Sequence, residues 1–225
     1  MIEMLLPDSV RVSSAFGDRP GPPLFPEEQA LVADSVEKRR REFTTGRRLA
    51  REALSRLGQP AAPLLSGARG EPLWPAGVMG TITHCDGYRA AAVAHRTELL
   101  SLGMDVESAR PMSADVFEAV SLPEERRANG RYHRIAPAAP WEKLLFSAKE
   151  SVYKAWFPLT GTFLEFEQAA VEFHPEHGTF SARLLVPGPD WGSSTLDGFS
   201  GRWAVRGGFV LTAIAVPLPP SDGAV

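Results

Sequence analysis

The chain has 225 residues, with 24 Lys and Arg against 27 Asp and Glu, a net charge of −3 and 44% hydrophobic residues. That length suits one domain or two small ones with a sizeable core, and the near balance of charge argues against a nucleic-acid binder. One cysteine, Cys85, excludes an internal disulfide and suits a reducing compartment; without a signal-peptide pattern or a long apolar run, a cytoplasmic protein with no membrane span is expected.

In chain order, residues 17–27 are Gly/Pro-rich and read as loop. The spacing predicts a helix over 34–57, with Val36, Phe43, Ala50, Leu54 and Leu57 on its buried side and Gly58 as its stop. Residues 58–77 read as loop. Strands are predicted at 78–83 and 90–94, joined by a turn at Asp86-Gly87, and at 101–106. Residues 108–139 read as a short helix and a charged, mobile Ala/Pro-rich loop. A helix over 141–157 carries an apolar stripe of Trp141, Leu144, Leu145, Ala148, Val152, Ala155 and Trp156. Strands follow at 169–173, 179–185, 202–206 and 208–216, and the tail from Pro217 is expected to fray. A helix followed by strands thus occurs twice, which predicts an α+β fold of two similar halves, 1–103 and 104–225, with a site where they meet.

Three constellations carry chemistry. In Gly103-Met-Asp-Val-Glu107, a strand places Asp105 and Glu107 on one face and Met104 and Val106 on the other. Paired carboxylates suit Mg²⁺, although acidic strand ends are also common without metal. On the helix at 141–157, Lys143, Ser147, Glu150 and Lys154 share a polar face, and Glu150 lies four residues before Lys154. That pair is either a surface ion pair or part of a site for an anionic, metal-bound substrate. In the basic run from Lys38 to Arg51, Arg40, Thr44, Arg47 and Arg51 share one face, flanked by Arg39 and Arg48. Clustered guanidinium groups suit phosphate, and a solvated basic face is the plainer alternative. Gly46 admits a close backbone approach. His84 closes a strand beside a turn without zinc-ligand spacing. Ser147 and Ser151 have no His partner in sequence that would make a hydrolase triad. No phosphate loop or dinucleotide fingerprint occurs.

Together these segments resemble the broad-specificity 4′-phosphopantetheinyl transferases, the type that activates surfactin and enterobactin synthetases, and especially their actinobacterial members. The family's Gly-x-Asp-x-Glu motif stands here as Gly103 to Glu107. Its Trp/Phe-x-x-Lys-Glu-x-x-x-Lys motif stands as Phe146 to Lys154, its Ser/Thr-His segment as Thr83-His84, and its basic helix as Glu42 to Arg51. A Gly-Lys-Pro-like turn stands as Arg69-Gly-Glu-Pro72.

The resemblance implies a pseudo-dimeric α+β fold with coenzyme A in the cleft between the halves. It maps Asp105, Glu107 and Glu150 onto ligands of Mg²⁺, for which Mn²⁺ is an alternative. It maps Thr83, His84 and Arg47, with Arg51 nearby, onto coenzyme A contacts, and Lys149 and Lys154 onto phosphate-neutralising lysines. Arg69 takes the place of a family lysine near the adenine and 3′-phosphate, while Ser66 stands where some relatives have another lysine. Of Arg39 and Arg40, helix geometry favours Arg40 as the inward residue and spacing to relatives favours Arg39. The implied reaction is attack of a carrier-protein serine on the β-phosphate of coenzyme A, with adenosine 3′,5′-bisphosphate leaving. Glu150, directly or through a metal-bound water, is the expected base, and Lys154 assists the leaving group. The expected partners are acyl and peptidyl carrier proteins, met by a monomer. A metal-dependent nucleotide pyrophosphate hydrolase and a non-catalytic coenzyme A-binding or carrier-binding module are the alternatives.

Overall fold

In the computed structural model, residues 1–18 and 20–219 are described. A 3₁₀ turn at Ile2–Leu5 leads into β1 (Arg11–Phe16), a short α1 (Pro26–Ala30) and the basic helix α2 (Glu37–Ser55). The strands β2 (Val78–Cys85), β3 (Tyr88–His95) and β4 (Leu99–Ser108) follow. Next come α3 (Ala114–Val120), α4 (Pro123–Ile135) and α5 (Trp141–Thr160). The chain ends in β5 (Ala169–His174), β6 (Thr179–Leu184), the two-residue β7 (Asp190–Trp191) and β8 (Ser194–Thr195), β9 (Gly198–Arg206) and β10 (Phe209–Pro217).

The architecture is α+β. An antiparallel sheet β1-β3-β2 carries α2, and a five-stranded antiparallel sheet β4-β10-β9-β6-β5 carries α5. Alternation along β3 divides the first sheet between two cores. Ala91 and Val93 face α2, with Leu49, Ala50, Ala53 and Leu54. Ala90, Ala92 and Ala94 face the second sheet, with Leu102, Met104, Val106, Leu211 and Ala213. The helical face of the larger sheet buries the whole apolar stripe of α5, with Trp141 and Leu144 fully enclosed. The 103/104 division expected from sequence falls inside β4, which pairs along its length with β10.

The β2–β3 and β9–β10 hairpins use glycine for its backbone freedom. Gly87 (φ +86°) lies in the β2–β3 hairpin, and Gly207 and Gly208, both at positive φ, join β9 to β10. At Gly103 the reason is space: a Cβ there would stand 2.0 Å from the Ser151 carbonyl oxygen. β4 and α5 therefore approach closely at the motif glycine, and Ser101 Oγ donates to the Ala155 carbonyl beside it (2.6 Å). Gly46 of α2 likewise lets Ile82 come close, its side chain 3.2 Å from where a Cβ would stand.

The structure corrects several expectations. Residues 108–139 form two helices in place of one short helix and a loop. Pro123 opens α4 and the Glu125 carboxylate caps the Leu122 amide (2.6 Å), so the charge run is helical. This helix covers edge strand β5: Glu125 Oε1 accepts from Val171 N (2.7 Å) and Tyr132 OH from Phe173 N (3.0 Å). β1 and α1, unexpected from sequence, complete the first sheet and flank α2. Val36 lies just outside α2 and is 73% exposed, not buried. Of the expected frayed tail, Pro217 ends β10, and residues 220–225 lie outside the described residues, as does Arg19 of the 17–27 loop.

Candidate active site

Asp105 is the centre of the polar cluster. It is 4% exposed and sits on the α5 face of β4. Its Oδ1 accepts from Lys154 Nζ (2.7 Å) and Thr83 Oγ1 (3.1 Å), and its Oδ2 from Ser147 Oγ (2.9 Å). Thr83 Oγ1 also accepts from the Val106 amide (3.1 Å), so β2 and β4 are tied together beside the carboxylate. Beneath it, the hydroxyls of Ser147 and Ser151 contact Thr212 Oγ1 at 2.9 and 2.7 Å. Both serines are fully buried, which fits spacers between α5 and β10 and not nucleophiles.

Glu107, two residues on, is half-buried and its partner is Lys143 Nζ at 3.6 Å. Burial and the Asp105 charge push its carboxyl above the usual range, opposed by Lys143 and Lys154. Burial also raises the Glu150 carboxyl; Lys154 opposes the rise and Asp105 adds to it. The three acidic groups therefore share one field. Among the described residues, no three His, Cys, Asp or Glu side chains stand close enough as they are to enclose a metal ion. The donor chemistry nevertheless fits a hard divalent cation: carboxylate oxygens on adjacent elements, two of them already matched to positive charge.

On the other side stand the cations. Arg39 Nη1 lies 3.2 Å from His84 Nε2, while Glu42 Oε2 lies 3.9 Å from His84 Nδ1. Because guanidinium only donates, Nε2 accepts, and the network assigns the ring proton to Nδ1. Burial lowers the His84 pKa; Glu42 opposes this, and the charges of Arg39, Arg89 and Lys154 reinforce it. Arg39 thus abuts His84, and the charge of Lys154 acts on the same ring. Arg47 is 5% exposed, stacks over Phe43 (4.4 Å to the ring centroid) and donates to Ser66 Oγ (2.8 Å). Its Nε is buried with no hydrogen-bond partner, and burial pulls its pKa down to about 10.

A cleft of about 550 Å³ opens beside Lys154. Arg69 to Trp74 and Gly80 to Ile82 line one side, and Tyr153, Lys154 and Phe157 of α5 the other. That volume is in the usual range for small-molecule sites.

Four of the residues singled out in the sequence are engaged within the fold itself. Arg51 bonds Glu28, Nη1 to Oε1 at 2.6 Å, and Glu28, fully buried, also accepts the Phe25 and Leu64 amides. The charge of Arg51 is thereby spent fastening α1 to α2. Lys149 is buried against Glu125 (2.8 Å) and the Phe166 carbonyl (2.7 Å), so it ties α5 to α4 and to the 3₁₀ turn Phe166–Gln168. Arg40 turns outward to Glu37 and the Ala33 carbonyl, which leaves Arg39 as the inward residue. The Thr83 hydroxyl serves Asp105 and a backbone amide, and so is committed within the fold. The sequence places Lys143 on one face with Ser147, Glu150 and Lys154 but assigns it no role in the site; its contact with Glu107 is seen only in the structure.

The two sheets, each carrying one long helix, thus bring carboxylates of β4 and α5 beside cations of α2 and α5. Two family models match the chain: the 4′-phosphopantetheinyl transferase N-terminal domain over residues 27–94, and the 4′-phosphopantetheinyl transferase superfamily over 101–206. The chain is 53% identical over 222 residues to 4′-phosphopantetheinyl transferase Svp of Streptomyces mobaraensis, covering 97% of this chain and 90% of that protein. Npt of Nocardia iowensis is 45% identical over 223 residues (96% and 99% covered), and PptT of Mycobacterium tuberculosis 44% over 214 (93% of each). The chain belongs to the 4′-phosphopantetheinyl transferase superfamily and is a transferase of that kind. No helix among the described residues is long and apolar enough to cross a membrane.

Proposed function

We propose that the protein transfers the 4′-phosphopantetheine arm of coenzyme A to a serine of acyl or peptidyl carrier proteins, releasing adenosine 3′,5′-bisphosphate. The observation that supports this reading is the Lys154–Asp105 contact, with Glu107 and Glu150 in the same field of charge and the Arg39–His84 pair nearby on α2 and β2. A ligand with several phosphates held beside a divalent cation complements both sets.

Each residue has a role set by its surroundings. Arg47 has an unsatisfied buried Nε and suits the 3′-phosphate, with Arg39 and the neutral His84 beside it. Arg69 stands at the mouth of the cleft with Tyr153 and Phe157, where the adenine of coenzyme A would lie. Asp105, Glu107 and Glu150 would hold Mg²⁺ or Mn²⁺, which supplies charge neutralisation at a pyrophosphate when bound. Glu150, with its carboxyl pKa raised by burial, is suited to accept the serine proton. Lys154 is placed to offset charge developing on the leaving phosphate. The enzyme works as a cytoplasmic monomer, with its centre where an N-terminal half (1–103) meets a C-terminal half (104–225).

Mass spectrometry of apo-carriers from fatty acid, polyketide and nonribosomal peptide systems, incubated with the protein, coenzyme A and Mg²⁺, tests this reading. The expected result is addition of one phosphopantetheine per carrier. Cleavage of coenzyme A without any carrier would replace it with a hydrolase, and binding without turnover on every carrier with a binding module.

A further inference from the structure

Lys143 begins the polar face of α5, eleven residues before Lys154. The two Cα atoms are about 16 Å apart along the helix axis, while Asp105 and Glu107 are only about 7 Å apart along the strand. The two long side chains lean inward from opposite ends, and each meets one carboxylate: Lys154 Nζ on Asp105 (2.7 Å), Lys143 Nζ toward Glu107 (3.6 Å). Lys143 is largely enclosed, its side chain 17% exposed, and its ammonium lies over the Phe146 ring, 5.7 Å from the centroid. This is a seated group and not a trailing surface lysine.

Two carboxylates on one strand face repel each other, and the fold offsets that repulsion with two internal ammonium groups. A dication arriving at Glu107 meets an ammonium already there. We propose that Lys143 is a further positioning residue of the centre, a built-in counter-cation that holds Glu107 and competes with the divalent cation for it. Phosphates entering with the metal give the ammonium a new partner, so metal and phosphate load together and metal alone binds weakly. This inference rests on reading Asp105, Glu107 and Glu150 as the metal ligands.

The test is Mn²⁺ binding to the protein without coenzyme A, followed by the electron paramagnetic resonance of free Mn²⁺. Lys143→Met keeps the length of the side chain and removes its charge; Lys143→Gln serves as a second variant, and melting curves check that each is folded. The expected result is Mn²⁺ affinity about tenfold above wild type in both variants, the scale of one nearby charge under partial screening. That gain is expected to vanish when Glu107→Gln is added. Folded variants that bind Mn²⁺ no better than wild type, including any that bind none, overturn the proposal. So does a gain that survives Glu107→Gln. Carrier modification by the wild-type protein is scored separately: transfer without the Mn²⁺ gain sinks only the role of Lys143, and the gain without transfer to any carrier sinks only the proposed function.

Discussion

Lys154 Nζ lies 2.7 Å from Asp105 Oδ1 and fastens α5 to β4 at the centre of the acidic cluster. Asp105 also has two hydroxyl donors, so it keeps hydrogen bonds without the lysine. An interaction that strengthens as the leaving group gains charge lowers the catalytic rate more than ground-state binding. Lys154→Ala is expected to bind coenzyme A within a few-fold of wild type and to transfer at least ~100-fold more slowly. Calorimetry beside single-turnover carrier modification measures both; lost binding with an unchanged saturated rate would make Lys154 a ground-state anchor.

Arg47 and Arg51 stand one turn apart on α2 but have different fates. Arg47→Ala is expected to weaken coenzyme A by roughly 1.5–3 kcal/mol, the scale of a lost charge-assisted bond, and to affect dephospho-coenzyme A little. Arg51→Ala leaves the fully buried Glu28 unpaired, which costs about 3–5 kcal/mol of stability. Steady-state KM for the two donors and urea unfolding separate these effects; equal KM losses with both donors would remove Arg47 from the 3′-phosphate.

The Lys149–Glu125 pair has both side chains 2% exposed. Burial pulls the Lys149 ammonium below its usual pKa while Glu125 holds it up. Lys149→Met is expected to destabilise the protein by about 3–5 kcal/mol by stranding the carboxylate. The folded fraction should keep a near-normal KM for coenzyme A, and a selective rise in KM at unchanged stability would return Lys149 to the ligand.

Gly103→Ala places a methyl group 2.0 Å from the Ser151 carbonyl, inside the backbone of α5. Relief requires strand and helix to part, at a cost of about 1–3 kcal/mol or more. A melting curve checks it; an unchanged midpoint would mean that the two elements separate freely.

Burial lowers the His84 pKa. As pH falls past the unfolded-state value, the unfolded chain takes up the proton before the native ring does, so stability declines with acidification until the lowered native pKa is passed. Urea midpoints from pH 7.5 to 5 are expected to fall less in His84→Gln than in wild type. Parallel slopes would show that the ring titrates alike in both states.

The sequence by itself determined the parts whose signal is local and periodic. The apolar stripe of α5 is buried as its spacing predicted, and alternation in β4 puts Asp105 toward the helix and Met104 and Val106 toward the other sheet. The α+β class and the transferase family were legible because motifs on separate elements kept a specific order. The fate of each charge was decided only by tertiary structure. Arg47 and Arg51, or Lys149 and Lys154, are chemically alike, and nothing within the helix says which meets a buried carboxylate. That depends on Glu28 and Glu125, which lie 23 and 24 residues from Arg51 and Lys149 on other elements. The α3–α4 region was misread for a related reason: its arginines and glutamates resemble solvated loop until Glu125 and Tyr132 are seen satisfying the free edge of β5. Helical or strand periodicity records which face is buried, whereas ion pairing is fixed by distances that only the assembled sheets and helices create.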